Sequence, residues 1–163
     1  MIEISTADPT RPFHAQAIVT LLNEYALHPM GGGEPLPDYT RSNLASALAA
    51  RDDYSAILAW DGDKAVGLCN CFECFSTFAC KPILNIHDVY VANGYRGQGI
   101  ANRMMQKAEQ IARAKGCCKL TLEVLTQNKA AKASYLASGY APYELDSQFG
   151  QAEFWQKPLY HDA

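Results

Sequence analysis

The stretch from residue 83 to residue 116 constrains the fold more than any other part of the chain. The apolar-rich run Ile83–Val91 predicts a β-strand. The next segment, Gly94-Tyr95-Arg96-Gly97-Gln98-Gly99, predicts a turn. A helix is then predicted up to Lys115-Gly116 by apolar residues at helical spacing, namely Ile100, Met104, Ala108, Ile111 and Ala112. A strand, a glycine-rich turn and a helix therefore follow one another directly.

A turn of this kind leaves backbone N–H groups free at the start of a helix. The positive end of the helix dipole points the same way, which suits an anion such as a pyrophosphate. Because residue 102 is Asn, the third glycine of a dinucleotide-binding fingerprint is missing. Gly97-Gln98-Gly99, taken alone, therefore fits an anion site and a purely structural turn equally well.

The other predicted elements give an α/β fold in one domain, residues 1–163, because no linker divides the chain. Asp61-Gly62-Asp63 between two apolar runs is a strong hairpin signal. The glycine-rich segment His28–Asp38 is interpreted as a lid near a substrate or as a plain connector. The remaining predictions are a strand at Ile2–Ser5, helices after Asp8 and around Leu44 and Leu48, the hairpin strands Tyr54–Trp60 and Lys64–Phe75, a strand at Lys119–Leu125, a helix at Asn128–Ser138, and late strands at Tyr140–Tyr143 and Glu153–Lys157.

Composition excludes several classes of protein. The 163 residues are 48% hydrophobic and 19% charged, as in a folded domain rather than a disordered chain. The apolar runs are far shorter than the roughly 18 residues of a membrane span, and the N-terminal residues lack a signal-peptide pattern. The net charge of −3 argues against nucleic acid as the main partner. We expect a cytoplasmic protein without nucleic-acid or membrane partners.

Six cysteines raise the possibilities of disulfides and of a metal site. In a reducing compartment the default is a free thiol packed as a small hydrophobic group. Cys69, Cys71, Cys74 and Cys80 lack the paired C-x2-C spacing of a structural zinc site, and strand alternation explains the first two. We expect no metal.

Two motifs resemble those of a known family. Val89-Tyr90-Val91 is followed by Arg96-Gly97-Gln98-Gly99-Ile100-Ala101, which matches the R-x-x-G-x-A signature of the GNAT superfamily of N-acetyltransferases. Asn128, with Tyr135 seven residues later and then Gly139-Tyr140, matches the second signature of that superfamily. The spacing is similar to that of diamine and small-amine acetyltransferases.

The resemblance implies a fold and a cosubstrate. The fold is a mixed, mostly antiparallel sheet of six to seven strands, flanked by about four helices, with splayed parallel strands at its centre. Acetyl-CoA lies between those strands, at 83–91 and 119–125. Its pantetheine pairs with the backbone of Val89, Tyr90 and Val91, and Asn128 also bonds this arm. Its pyrophosphate is held by the turn residues Arg96, Gly97, Gln98, Gly99, Ile100 and Ala101.

The implied reaction is direct acetyl transfer to an amine in a ternary complex. An alkylamine has a pKa near 10.4, so a base must remove its proton at neutral pH. The leaving thiolate gains from an acid, and the resemblance places the hydroxyl of Tyr135 near the thioester sulfur. Packing as a core aromatic is the alternative role for Tyr135.

His87 and Asp88 are the candidates for the base and for contact with the acceptor. As neighbours on a strand they are predicted to point to opposite faces. In diamine acetyltransferases this dipeptide is Glu-Asp, so His87 occupies the position of a Glu that reaches the amine proton through water. The sequence leaves open whether His87 or Asp88 is the base and whether either is purely structural. A covalent Cys–His route is formally possible, but the resemblance implies direct transfer.

The expected acceptor is a primary amine of a small molecule. Acidic residues suit a cationic amine, and Phe75 to Phe78 are candidates for the pocket wall. Protein lysine or N-terminal acetylation and a non-catalytic acyl-CoA sensor remain as alternatives, and the resemblance implies a possible homodimer. The candidate acids are Glu24, Glu34, Asp38, Glu73, Asp88 and Glu153.

Overall fold

The computed structural model describes residues 1–159. It contains both strands and helices, which confirms the α/β class. They are β1 (Ile2–Ala7), α1 (Pro12–Leu27), α2 (Asp38–Ala49), β2 (Tyr54–Asp61), β3 (Lys64–Ser76), β4 (Lys81–Val91), α3 (Ile100–Ala114), β5 (Leu120–Leu122) and α4 (Lys129–Ala137), with short 3₁₀ turns at Pro29–Gly31 and Ser147–Phe149.

The strands form one sheet in the order β1-β2-β3-β4-β5. The first four strands run antiparallel to their neighbours, and β4 and β5 are parallel. This arrangement confirms the mixed, mostly antiparallel sheet. The predicted hairpin also forms, with Asp61 opposite Lys64 and Gly62 at a φ of +59°.

The strand count is lower than the six to seven expected, because five strands form within residues 1–159. The segments 140–143 and 153–157 are irregular, and an isolated bridge joins Glu144 to Gln151. Phe154 and Trp155 are 76% and 83% exposed. A strand gains stability from burying one face, and this segment buries little.

Helices cover both faces of the part of the sheet in residues 1–122. Leu58, Leu68 and Tyr90 belong to a buried cluster with Ile18 and Leu21 of α1. The residues between these, which point to the other face of the sheet, lie against α3. One of them is Gly67, where an added Cβ would meet the Met104 Sδ atom at 3.1 Å. This close approach explains why position 67 is glycine.

The parallel pairing of β4 with β5 is short. It comprises Leu84–Leu120, Asn85–Thr121 and Ile86–Leu122, and the Asn85 amide donates to Thr121 Oγ1 at 3.1 Å. β4 continues for five residues beyond Ile86, to Val91. The two parallel strands therefore share only the first part of β4.

The chain divides into two units, Met1–Leu122 and the residues from Glu123 onward. The first unit contains the sheet and helices α1 to α3, and the second contains α4. The single domain over residues 1–163 stays a prediction.

Candidate active site

The end of β4 has an edge that no strand covers within residues 1–159. The Ala92 N–H donates to the Val66 carbonyl at 2.9 Å, so these two residues form a hydrogen-bonded pair that continues the pairing of β4 with β3. In an antiparallel pair of strands, every second residue forms such a pair. Val89 and Val91 therefore direct their backbone groups away from β3, whereas the backbone of Tyr90, opposite Leu68, faces it. Because the pairing with β5 stops at Ile86, this edge can accept an extended ligand as a further strand.

The glycine-rich turn follows directly after this edge. Gly97 and Gly99 have φ values of +76° and +74°, a region that other residues rarely adopt. Gly99 is the N-cap of α3 and supplies no side-chain cap. The amide N–H groups of residues 97–101 have no hydrogen-bond acceptor among the described residues, so they remain available to an anion at the helix N-terminus.

Arg96 lies at the mouth of this turn. Its Nε donates to the Val91 carbonyl at 3.0 Å, and its guanidinium stacks over the ring of Tyr90 at 5.6 Å. The side-chain Nε2 of Gln98 donates to the Gly94 carbonyl at 3.2 Å, which links the two ends of the turn. The predicted residues Arg96 to Ala101 thus form the turn and the first two residues of α3.

A β-bulge corrects the prediction that His87 and Asp88 point to opposite faces. Asn70 lies opposite Asp88 while Cys71 lies opposite Ile86, so His87 is an extra residue on β4. A bulge of this kind breaks strict alternation. Both side chains consequently line one cleft.

That cleft has a volume of about 330 Å³ and lies among α1, α2, β3 and β4. Its polar lining consists of Asn70, His87 and Asp88. The rest is largely apolar and includes Leu22, Tyr25, Leu36, Leu44, Leu48 and Phe72. An apolar pocket with a few convergent polar groups is the usual form of a small-molecule site.

A hydrogen-bond chain fixes the carboxylate of Asp88. The Tyr54 hydroxyl donates to Asn70 Oδ1 at 2.6 Å, and Asn70 Nδ2 donates to Asp88 Oδ2 at 3.0 Å. Asn70 is 2% exposed. The side-chain oxygen and nitrogen of Asn70 are both hydrogen-bonded, so Asn70 holds Asp88 through Oδ2. The other carboxylate oxygen, Asp88 Oδ1, remains available to a ligand.

Burial raises the pKa of Tyr54, and the negative charge of Asp88 raises it further. The same two causes raise the pKa of Tyr25 on the other side of the cleft. Tyr54 therefore stays protonated at neutral pH and remains the donor to Asn70. The amide of Asn70 is in turn forced to present its N–H to Asp88.

His87 is exposed, and its ring is nearly perpendicular to that of Phe72, with the ring centroids 5.4 Å apart. It makes no hydrogen bond to another described residue. Asp88, in contrast, is half-buried and anchored. The two neighbours differ in chemistry: one imidazole is open to solvent, and one carboxylate is held in place.

The segment 28–38 borders this cleft, through Gly31 and Leu36. The Leu36 N–H donates to Asn23 Oδ1 at 2.9 Å, which ties the segment to α1. The segment therefore borders the candidate cleft, and its role as a lid or as a plain connector stays a prediction.

Other predicted acceptor contacts lie elsewhere in the first unit. Glu73 pairs with Lys115 at 2.7 Å, and Asp38 pairs with Arg41. Phe75 and Phe78, at the end of the hairpin, are 58% and 97% exposed and do not line the cleft. Of the five candidate acids in the first unit, Asp88 is the one that lines the cleft.

The second unit carries Asn128 and Tyr135. Asn128 is the N-cap of α4, and its Oδ1 accepts the Ala131 N–H at 3.2 Å. Tyr135 is half-buried in the same helix, and its ring lies 6.2 Å from that of Tyr140. The cap uses the amide oxygen of Asn128 and leaves the Nδ2 group available as a donor.

Cys69 and Cys71 are buried in β3 with their Sγ atoms 3.7 Å apart, and all six cysteines are free thiols. Within residues 1–159, no three His, Cys, Asp or Glu side chains are grouped to hold a metal ion. In the same residues, no helix has the length and apolar character to cross a membrane.

Sequence reasoning missed Tyr54 and Asn70. Asn70 interrupts the run Val66–Cys71, whose five remaining residues are all apolar or glycine. A single amide in a buried strand needs partners, and that was the available signal.

A family model described as "Acetyltransferase (GNAT) family" matches residues 16–140. This chain belongs to the GNAT family of acetyltransferases. The match includes β4, the glycine-rich turn, α3 and α4, the elements that carry the two signatures.

Two curated relatives have amine substrates in their names. Thialysine N-epsilon-acetyltransferase of Bos taurus is 38% identical over 78 residues, which are 48% of this chain and 45% of the relative. Streptothricin acetyltransferase of Streptomyces lavendulae is 38% identical over 91 residues, which are 56% of this chain and 46% of the relative. The chain thus spans slightly under half the length of these relatives.

Solved structures share the fold of this GNAT chain. A probable acetyltransferase aligns over 98% of this chain and 99% of its own, with a TM-score of 0.78 and 22% identity. AAC(6')-Iy in complex with the bisubstrate analog CoA-S-monomethyl-acetylneamine aligns over 98% and 99%, with a TM-score of 0.76 and 16% identity. The expected GNAT fold is confirmed.

Tyr54→Phe tests the chain that holds Asp88. The variant leaves the buried Asn70 Oδ1 without its donor, so the free energy of unfolding is expected to fall by about 1–3 kcal/mol. Urea denaturation measures this change. Tyr39→Phe is the matched control, because Tyr39 is 79% exposed. Equal stability of the two variants would contradict the proposed hold on Asn70.

Proposed function

We propose that this chain is an acetyl-CoA-dependent N-acetyltransferase that acts on a primary amine of a small cationic molecule. The observation that carries the proposal is the bulge in β4, which sets His87 and the anchored Asp88 in one cleft. The same strand then continues into an edge without a strand partner and into the turn with free amides. An amine site and a site for a phosphorylated thioester thus occupy successive parts of one strand and turn.

Acetyl-CoA suits the residues after the bulge. Its pantetheine arm carries amide groups that can pair with Val89 and Val91, as a further strand would. Its pyrophosphate suits the N–H groups of residues 97–101, since a helix N-terminus favours negative charge. Asn128 is assigned a bond to the pantetheine arm through Nδ2.

The cleft favours a small acceptor. Its volume of about 330 Å³ is at the lower end of the range of small-molecule pockets. Asp88 supplies one negative charge within largely apolar walls, which matches an alkylammonium group. The names of the relatives, for thialysine and for streptothricin, support the same class of acceptor.

We assign separate roles to the three catalytic candidates. Asp88 binds the ammonium group through the oxygen that Asn70 leaves open, and His87 takes the proton of the amine, directly or through a water. The amine nitrogen then attacks the thioester carbonyl carbon, a C–N bond forms, and the C–S bond breaks. The hydroxyl of Tyr135 protonates the departing thiolate, and its phenolate then takes up the second proton that the nitrogen loses as the amide forms. The proton held by His87 passes to solvent. The products are the N-acetylated amine and CoA.

The first test is calorimetric titration of acetyl-CoA, followed by a thiol-release assay with a panel of amines. The panel contains polyamines, lysine analogues, amino acids, aminoglycosides and a histone-tail peptide. We expect binding of acetyl-CoA and turnover on a small cationic amine. Turnover confined to the peptide would overturn the acceptor class. Binding without turnover on any amine would favour an acyl-CoA sensor, and absence of binding would refute the proposal.

Paired variants in the cleft separate the two polar roles. His87→Gln is expected to lower kcat by about 10²–10⁴-fold with little change in the KM of the amine, because a base acts in the chemical step. Asp88→Asn is expected to raise the KM of the amine, because its charge binds the ammonium group. Steady-state kinetics on the amine identified by the panel measures both effects. The reverse pattern would make Asp88 the base.

Tyr135→Phe tests the leaving-group acid. Removal of the hydroxyl is expected to lower turnover by roughly 10- to 10³-fold, the scale of a lost general acid. The affinity for acetyl-CoA, measured by calorimetry, is expected to stay nearly unchanged. Leu136→Ala is a neighbouring control, because Leu136 is 58% exposed on the same helix. Turnover of Tyr135→Phe at the level of this control would remove Tyr135 from the mechanism.

A further inference from the structure

Two nitrogen atoms from distant parts of the chain meet beside the glycine-rich turn. His28 follows α1, and Arg96 lies in the turn before α3. Their side chains approach to 3.3 Å, between Arg96 Nη1 and His28 Nε2. Neither signature motif includes His28.

The hydrogen-bond partners make both atoms donors. The Met30 N–H donates to His28 Nδ1 at 3.1 Å, so Nδ1 carries no proton. The neutral imidazole then has its proton on Nε2. Arg96 has no acceptor atom, and its Nε is already used by the Val91 carbonyl. Two N–H donors therefore face one another, and no acceptor from residues 1–159 lies between them.

An oxyanion resolves this arrangement, because one oxygen group can accept from both donors. Bonds from arginine and from histidine to an oxyanion are charge-assisted and strong. The free amides of residues 97–101 and the N-terminus of α3 favour negative charge on the same loop. Tyr90, beneath the guanidinium at 5.6 Å, keeps Arg96 in place.

We propose that His28 joins Arg96 in binding the diphosphate of acetyl-CoA. This inference rests on the proposed function and adds a residue from outside the turn to the cosubstrate site. His28 begins the segment whose Gly31 and Leu36 line the amine cleft. The diphosphate is thereby connected through one short segment to the wall of the acceptor pocket.

Two substitutions separate donation to the diphosphate from a role in loop shape. His28→Asn keeps a side-chain oxygen that can accept the Met30 N–H, in an Asx turn, but lacks the distal donor. His28→Gln keeps a distal N–H donor and loses the local acceptor. We expect the dissociation constant of acetyl-CoA to rise about 10-fold in His28→Asn and to stay near the wild-type value in His28→Gln. Calorimetric titration measures the affinities.

S-acetylpantetheine serves as the second probe, because it has the thioester arm without the diphosphate. All variants are expected to bind it with the wild-type affinity. His14→Gln is the control, because His14 likewise accepts a backbone N–H through Nδ1, from Asp8 at 3.0 Å, at the other end of α1.

Four results would overturn the inference. Equal affinity of all variants for acetyl-CoA would show that His28 makes no contact with the diphosphate. Weaker binding by His28→Gln than by His28→Asn would assign His28 to loop shape, as would an equal loss with S-acetylpantetheine. A wild-type protein that does not bind acetyl-CoA would refute the proposed function together with this inference, whereas the first three results leave that function intact.

Discussion

The candidate site depends on how β4 satisfies its backbone groups. Every N–H and C=O group on a strand needs a partner, and β4 finds one in β5 only as far as Ile86. Beyond Ile86, the backbone groups of Val89 and Val91 point away from β3. Arg96 Nε donates to one of them, the Val91 carbonyl. Because β5 is short and β4 is long, the edge of β4 beyond Ile86 has no strand partner within the described part of the chain, and it leads to the free amides of the glycine-rich turn.

The bulge at His87 is the second consequence of the same strand. An extra residue on β4 turns two neighbouring polar side chains to one face, where regular alternation would separate them. The cost of burying polar groups there is offset by the chain from Tyr54 through Asn70 to Asp88. A strand irregularity therefore supplies the polar chemistry of the cleft, and the apolar residues of α1 and α2 supply its walls.

The sequence was sufficient for features that depend on local rules. The Asp-Gly turn at Asp61-Gly62, the glycine-rich turn at Gly97 to Gly99 and the helix after it follow from backbone preference and periodicity, and all three form. The bulge at His87 could not be predicted, because it depends on the register between two strands rather than on residue types. The irregular segment at 153–157 shows the same limit. Its sequence pattern predicts a strand, but a strand forms only where it can pair with a neighbouring strand.

The central claim is that acetyl-CoA completes the open edge of β4. Amide hydrogen exchange of Val89 and Val91, measured with and without acetyl-CoA, tests it most directly. These amides are expected to exchange more slowly when acetyl-CoA is saturating, because the pantetheine arm becomes their hydrogen-bond partner. The amide of Tyr90, already paired with β3, serves as the internal reference. Unchanged exchange at Val89 and Val91 in the presence of bound acetyl-CoA would show that the pantetheine arm does not pair with this edge of β4.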